Sequence, residues 1–274
     1  MKAENRDFPL LFFLLTLGFS WLFWTPLALQ AHGWISLPEP LADFLAGAFN
    51  PAPWMPSLMG ILLTLIYEGW RGLAAWLKDG LNPRRLGRAG WLMAIFLPLG
   101  IFLGAHLIEA LIRQHPLDLS VLSNPPLALF APLIILFTSG PLQEEFGWRG
   151  FALPRLLRRF NALTASVWLG FFWWLWHLPL VFIPGKFMVS TLPLFLLLLV
   201  EIVLTAVLMT WVYRRTQQSI LAALVFHTVM NYSIWVLLPS MQVSVGLILI
   251  TCALLALAVA GLVLREERQQ SQPA

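Results

Sequence analysis

Cysteine occurs once in the 274 residues, at Cys252 inside an apolar run, so the chain can form no internal disulfide and carries no CxxC or cysteine-rich metal motif. Charge is also scarce: 11% of residues are Asp, Glu, Lys or Arg, 59% are hydrophobic, and the mean hydropathy is +0.79. An ordinary soluble domain carries about 25% charged residues, so this composition points to an integral membrane protein instead. No loop is long enough for a separate soluble domain, and no internal repeat of the transporter kind is visible. The formal charge of +4 would suit nucleic acid, but the basic residues stand in short clusters between apolar runs. That is a topology pattern, and no nucleic-acid partner is expected.

Long apolar runs are what the chain has in abundance. Each spanning helix needs about 20 mostly apolar residues, and about eight spans are expected: Phe8–Leu29, Trp54–Tyr67, Trp91–Ile112, Leu127 into the Glu144-Glu145 region, Ala162–Ile183, Thr191–Tyr213, Ser219–Leu238 and Val243–Leu264. The expected fold is an all-α, polytopic transmembrane helix bundle. Its parts are read as N-terminal helices and a cytoplasmic loop (1–125), a core (126–240), and a last helix with a frayed polar tail (241–274). The first run exceeds the roughly 7 to 15 residues of a signal-peptide core and reads as an uncleaved span. The stretch 68–90 reads as a surface amphipathic helix or a solvated basic loop.

If the spans alternate, Lys2, Arg6, Arg71, Lys78, Arg84, Arg85, Arg88, Arg155, Arg158, Arg159, Arg214, Arg215, Arg265 and Arg268 fall on one side. Arg113 and Lys186 fall opposite, and Arg149 lies within the core. By the positive-inside rule the basic side is cytoplasmic, with both termini.

Ionisable groups inside spans cost about 2.5 to 3.5 kcal/mol each on insertion scales, so each needs a partner or a watery cavity. Glu145 and Arg149 are spaced i, i+4 and can pair on one helix face. Glu144, about 100° round the helix, is left as the free carboxylate and candidate general base. Alternatively, all three charges merely anchor a helix end. His177 sits in "FFWWLWHLPLVF", where a packing role competes with a chemical one. His227 and Asn231 are again i, i+4, a pair of donors able to stabilise an oxyanion, although Asn231 also suits interhelical bonding. Counting along the helices puts Glu144, His177 and His227 roughly 18 to 21 Å from the basic loops. They can meet inside the membrane, in a site expected to open to the cytoplasm. This requires the Glu144 helix to run to about Arg158 despite Gly140-Pro141 and Pro154.

These motifs, Glu144-Glu145-Phe-Gly-Trp-Arg149, Trp173-Trp-Leu-Trp-His177 and His227-Thr-Val-Met-Asn231, resemble those of the CPBP family of intramembrane proteases, which includes type II CAAX prenyl endopeptidases and Abi-domain bacteriocin-processing or self-immunity proteins. The resemblance covers about Leu127 to Tyr232. Trp173 departs from the phenylalanine of many members, a conservative change. The resemblance implies hydrolysis of a peptide bond in a membrane-anchored protein or peptide, with lipid as the surroundings. It implies Glu144 and His177 activating water, His227 and Asn231 stabilising the oxyanion, and Glu145 and Arg149 in support. The expected location is the plasma membrane of a prokaryote.

His177, His227 and Glu144 would also make a His₂Glu zinc site. The H-E-x-x-H signature is absent, however, and ligation would remove Glu144 as base, so no cofactor is required and Zn2+ is the alternative. Two further classes compete. A transporter or proton-coupled carrier would use His106, Glu109 and Glu201 as a relay, against their plainer reading as interhelical hydrogen-bonding groups. A noncatalytic immunity protein would keep the fold without the chemistry. A hydrolase needs Glu144, His177 and His227 to converge, whereas a relay spreads its groups across the membrane.

Overall fold

In a computed structural model the described residues are 8–117, 119–237 and 244–270. They are helical throughout, with no strand among the described residues. Five helical stretches among them are long and apolar enough to cross a membrane: Leu10–Ala31, Gly87–Arg113, Pro125–Leu157, Ala162–Phe182 and Leu192–Arg215. Leu14, Leu129, Ile134 and Leu254 are more than half exposed on the outside of the bundle, where lipid and not water would solvate them.

In chain order the helices are α1 Leu10–Ala31, a short α2 Glu39–Ala46, α3 Met55–Gly80, α4 Gly87–Arg113 and α5 Pro125–Thr138. After a break at Gly140 come α6 Pro141–Glu145, a π-helical stretch Phe146–Ala152 and α7 Leu153–Leu157, which run on as one rod. Then follow α8 Ala162–Trp176 with a 3-10 turn Leu178–Phe182, α9 Leu192–Arg215, α10 Ile220–Tyr232 and α11 Val245–Gln270. The rod bearing Glu144 therefore reaches nearly to Arg158, as the depth argument requires. Pro154 sits at the start of α7, where its missing N–H does no harm, and the bend falls at Gly140, whose φ of 107° suits glycine.

Polar caps start the later helices. Asn124, Asn161 and Ser219 accept from the backbone N–H of Leu127, Thr164 and Ala222, closing the first turns of α5, α8 and α10. Small residues set the helix spacing: Gly170 of α8 lies against Val203 of α9, a contact a larger side chain would push apart. Trp176 Nε1 donates to Ser20 Oγ at 2.6 Å and Trp21 Nε1 to the Trp176 carbonyl at 3.2 Å, tying α1 to the end of α8 where His177 sits.

The second span ends close to where expected: the helical backbone of α3 breaks at Gly69 (φ 69°), two residues past Tyr67, and a second helical limb runs on to Gly80. That limb is the helical one of the two readings of the stretch 68–90, and it packs on the rod, with Trp76 Nε1 donating to the Gly150 carbonyl at 3.2 Å. One expectation is corrected. The polar tail is helical as far as Gln270 instead of frayed from Arg265. Lys2, Arg6, the span boundaries at Leu238 and Val243 and the last four residues lie outside the described residues.

Successive helices give the bundle two ends. One carries the turns 81–86, 158–161 and 216–219 with their arginines, and Arg85 Nη1 donates to the Gln217 carbonyl across it at 3.2 Å. The other carries 32–54, 114–124 and 183–191, joined by Lys186 Nζ donating to the Ala46 carbonyl at 2.5 Å. At this second end Glu109 accepts from His115 Nε2 at 2.8 Å and from the Ser244 N–H at 3.0 Å, with Arg113 at 3.9 Å. The Pro116 carbonyl on its other ring nitrogen, with Glu109, raises the His115 pKa. Glu109 is therefore a loop tether and is not held by His106, three residues before it.

At Gly147 the π stretch lies close against α3. A Cβ on Gly147 would lie 2.1 Å from the Pro56 carbonyl oxygen, a backbone atom that cannot turn aside. Gly147→Ala should therefore destabilise the protein by about 1–3 kcal/mol or more, read as a lower unfolding temperature in detergent. Gly18→Ala, with nothing within 4 Å of its added carbon, should show no such loss.

Candidate active site

The two adjacent glutamates have different partners. Glu145 Oε1 accepts from Arg149 Nη1 at 2.9 Å and from His227 Nδ1 at 2.7 Å, so one oxygen holds a residue four places on and another 82 places away. Glu145 and Arg149 are fully buried, and the Arg149 guanidinium lies 4.3 Å from the centre of the Trp173 ring. The expected i, i+4 pair is present, although the turn linking its members is π-helical and not α-helical. A buried charge left alone here would be far more costly than the pair.

Glu144 makes no contact with a cation. Its Oε2 accepts from Trp173 Nε1 at 2.6 Å and from Trp148 Nε1 at 3.3 Å, so two indoles hold one oxygen and leave Oε1 free. A Cβ placed on Gly140 would fall 2.8 Å from this Oε1 and 3.0 Å from His227 Nε2. Both atoms therefore face one small volume above Gly140. Only glycine leaves that volume open.

The histidines are fixed through their other ring nitrogens. His227 Nδ1 faces the Glu145 carboxylate and must carry the hydrogen, so in the neutral ring Nε2 presents a lone pair. His177, the residue that ends α8, likewise donates from Nδ1 to the Trp173 carbonyl at 2.8 Å. Its ring stacks on Phe187 at 5.1 Å. Trp173 thus holds Glu144 by its indole and His177 by its backbone. Asn231 Nδ2 donates to the Ser139 carbonyl at 2.6 Å, which joins α10 to the turn before Gly140.

Glu144, His177, His227 and Asn231 all line one cavity of about 400 Å³, with Glu145 and Arg149 behind its wall. Sequence reasoning missed Gly140, Trp148 and Gln143, whose Oε1 accepts from the Gly140 N–H at 3.0 Å and steadies the bend. The i, i+4 spacing of Glu144 and Trp148 was the available signal for one of them. It also undervalued Trp173: the change from phenylalanine is not conservative here, because it adds an N–H donor on the candidate base. Glu201, on the far wall, accepts from Thr205 at 2.7 Å, and Cys252 belongs to the same wall.

The cavity extends toward the end opposite the arginine-rich turns, where its lining includes Ala46, Gly47, Asn50, Lys186 and Phe187. Toward the arginine-rich end the rod is packed shut by Phe151, Leu153 and Leu156, each 1% exposed or less. Depth counting fixed the level of the site but not the direction in which its cavity extends.

The donors also do not form a metal cage. Among the described residues no group of three or more His, Cys, Asp or Glu side chains is placed to hold an ion, and one oxygen of Glu144 is already committed to two indoles.

Residues 125–233 match the model of the type II CAAX prenyl endopeptidase Rce1-like family. This segment is thus similar to the CPBP, or CAAX protease, family. The chain is also similar to CAAX prenyl protease 2 of Methanococcus maripaludis, with 31% identity over 106 residues, covering 37% of this chain and 39% of that relative. The chain thus spans about two fifths of the length of the curated relative it matches. Every catalytic candidate lies inside the matched segment 125–233. α1 and α3, outside it, supply the packing that holds its rod and the end of α8.

Because Arg149 is wholly buried against Glu145 and Trp173, Arg149→Met should lower stability by about 3–5 kcal/mol, the usual result of breaking a buried pair. Thermal unfolding in detergent measures it. An unchanged unfolding temperature would show that the pair does not hold the core.

Proposed function

We propose that the protein is an intramembrane endopeptidase that hydrolyses a peptide bond in a membrane-anchored protein or peptide, with Glu144 as the general base. The observation that carries this reading is the volume above Gly140, faced by the free Glu144 Oε1 on one side and by His227 Nε2 on the other. Similarity of the segment 125–233 to CAAX proteases supports the same reaction class. The convergence of Glu144, His177 and His227 on one cavity favours a hydrolase over a relay spread across the membrane.

Water held at Glu144 Oε1 gives a proton to the carboxylate while its oxygen attacks the scissile carbonyl carbon. The carbonyl oxygen becomes an oxyanion on the His227 side, where the second N–H of Asn231 donates to it and His227, which enters the step as the imidazolium with hydrogen on both ring nitrogens, donates from Nε2. The Glu145 carboxylate against Nδ1 offsets the charge that the His227 ring then carries. His177, held by the Trp173 carbonyl, keeps Nε2 free to orient the water. Collapse of the tetrahedral intermediate breaks the C–N bond, and Glu144 returns its proton to the leaving nitrogen. Nothing in this sequence is routed through a metal. Stoichiometric zinc in active purified protein, lost together with activity on chelation, would overturn that part.

The apolar walls, including Trp24, Leu27, Ile248 and Leu249, suit an apolar segment next to the scissile bond. The relative's name refers to a prenyl substrate; for this chain the reading extends only to a lipidated or transmembrane anchor.

Peptide termini of the membrane proteome should include new ones in cells expressing the intact protein, and these should vanish with Glu144→Gln and with His227→Ala. If correctly inserted intact protein yields no such termini, the hydrolase reading fails. Trp173 acts as a positioning residue for Glu144. Trp173→Phe keeps a ring but removes the 2.6 Å bond, which as a bond to a charged group is worth about 1.5–3 kcal/mol. Its kcat on an identified substrate should fall by roughly 10- to 100-fold, with KM little changed. An equal kcat would show that Trp148 alone suffices.

A further inference from the structure

We propose that Glu201 on α9 is a cation-selecting subsite of the catalytic cavity, and that it takes the ammonium of a lysine side chain beside the scissile bond of the substrate. The substrate part rests on the hydrolase reading above; the cation site does not. Four carboxylates are buried among the described residues: Glu109, Glu144, Glu145 and Glu201. Glu109 accepts from a histidine ring and a backbone N–H, Glu144 from two indoles, and Glu145 from a guanidinium and an imidazole. Glu201 accepts only the hydroxyl hydrogen of Thr205, at Oε1, and has no ion-pair partner among the described residues. A carboxylate in apolar surroundings without a cation is costly.

The second oxygen, Oε2, is not among the sealed-off atoms that lack a partner, and Glu201 keeps 7% exposure. It borders the same cavity as Glu144. Around it the lining is apolar: Leu198 and Ile202 lie beside it on α9, and Ile248, Leu249 and Cys252 line the cavity from α11, which packs against α9. A run of methylenes ending in a positive charge matches this wall, the stem against the aliphatic side chains and the ammonium on Oε2. A neutral donor would be served as well by an amide in the wall; what a carboxylate adds is charge. Lysine fits better than arginine, because Oε1 already holds the Thr205 hydrogen and the planar fork of a guanidinium uses both carboxylate oxygens. Lys186, which also lines the cavity, donates to the Ala46 carbonyl instead.

Two measurements test the two parts. In purified protein in detergent, saturating hexylammonium should raise the unfolding temperature of the native chain by roughly 2–4 °C. It should not raise that of Glu201→Gln, which keeps an acceptor for Thr205 and the size of the side chain but loses the charge. Hexanol, the same stem without the charge, should shift both proteins alike. Equal shifts with hexylammonium in the two proteins, or none in the native chain, would overturn the cation site. In the membrane proteome, the termini that depend on Glu144 should carry lysine beside the cut. On a peptide taken from one of them, replacing that lysine by norleucine should lower kcat/KM by roughly 10- to 100-fold in the native protein and leave it unchanged in Glu201→Gln. Glu144-dependent termini without lysine, or equal cleavage of the lysine and norleucine peptides by the native protein, would overturn the substrate part. Absence of any Glu144-dependent termini would sink the hydrolase reading and the substrate part with it, while the hexylammonium shift would still decide the cation site.

Discussion

A carboxylate, a guanidinium and an imidazole meet inside a bundle whose surroundings cannot solvate them. Glu145 sits between Arg149 and His227, on elements far apart in the chain, and in a medium of low dielectric none of the three is tolerable alone. Their meeting fixes the rotation of α10 against the π stretch and decides which nitrogen of His227 carries hydrogen. It also directs the other nitrogen toward Glu144. The remaining face of the guanidinium rests on Trp173, and the indole N–H of Trp173 holds Glu144. Support therefore passes from a buried ion pair through an aromatic ring to the oxygen that would take the proton.

This arrangement separates two chemically identical side chains by their surroundings. Glu145, turned toward Arg149, is a structural anion. Glu144, displaced around the helix, meets only indole donors and keeps an oxygen free. Glycine makes the close approaches possible: Gly147 admits the Pro56 carbonyl, Gly150 admits Trp76, and Gly140 keeps open the volume between Glu144 and His227. The π stretch fills the region where these approaches occur, and such wide turns are frequent at functional sites.

Charge and cavity lie toward opposite ends of the bundle. The arginine turns crowd one end, while 32–54 and 183–191 at the other contribute to the lining of the cavity. His106, Glu109 and Glu201 do not form a relay across this axis. Glu109 is occupied by His115 and a backbone N–H, and Glu201 is bonded to Thr205 within the cavity wall.

The all-helical membrane architecture followed from apolar run length alone, because only a helix satisfies its own backbone in lipid. The Glu145–Arg149 pair, the isolation of Glu144 and the common level of the three candidate groups were also legible, since all depend on helical rise and rotation within one segment. The frayed tail was misjudged because a hydropathy run marks where lipid is tolerated and not where a helix stops, and α11 runs on to Gln270. Sequence by itself determined which residues share a helix face and which loops carry charge, both one-dimensional properties. Only the tertiary structure decided that His227 binds Glu145, that Trp173 grips Glu144, that glycine forms the floor, and toward which end the cavity extends. Each of these depends on which helices are neighbours, and helical periodicity fixes the direction of a face without naming what it meets.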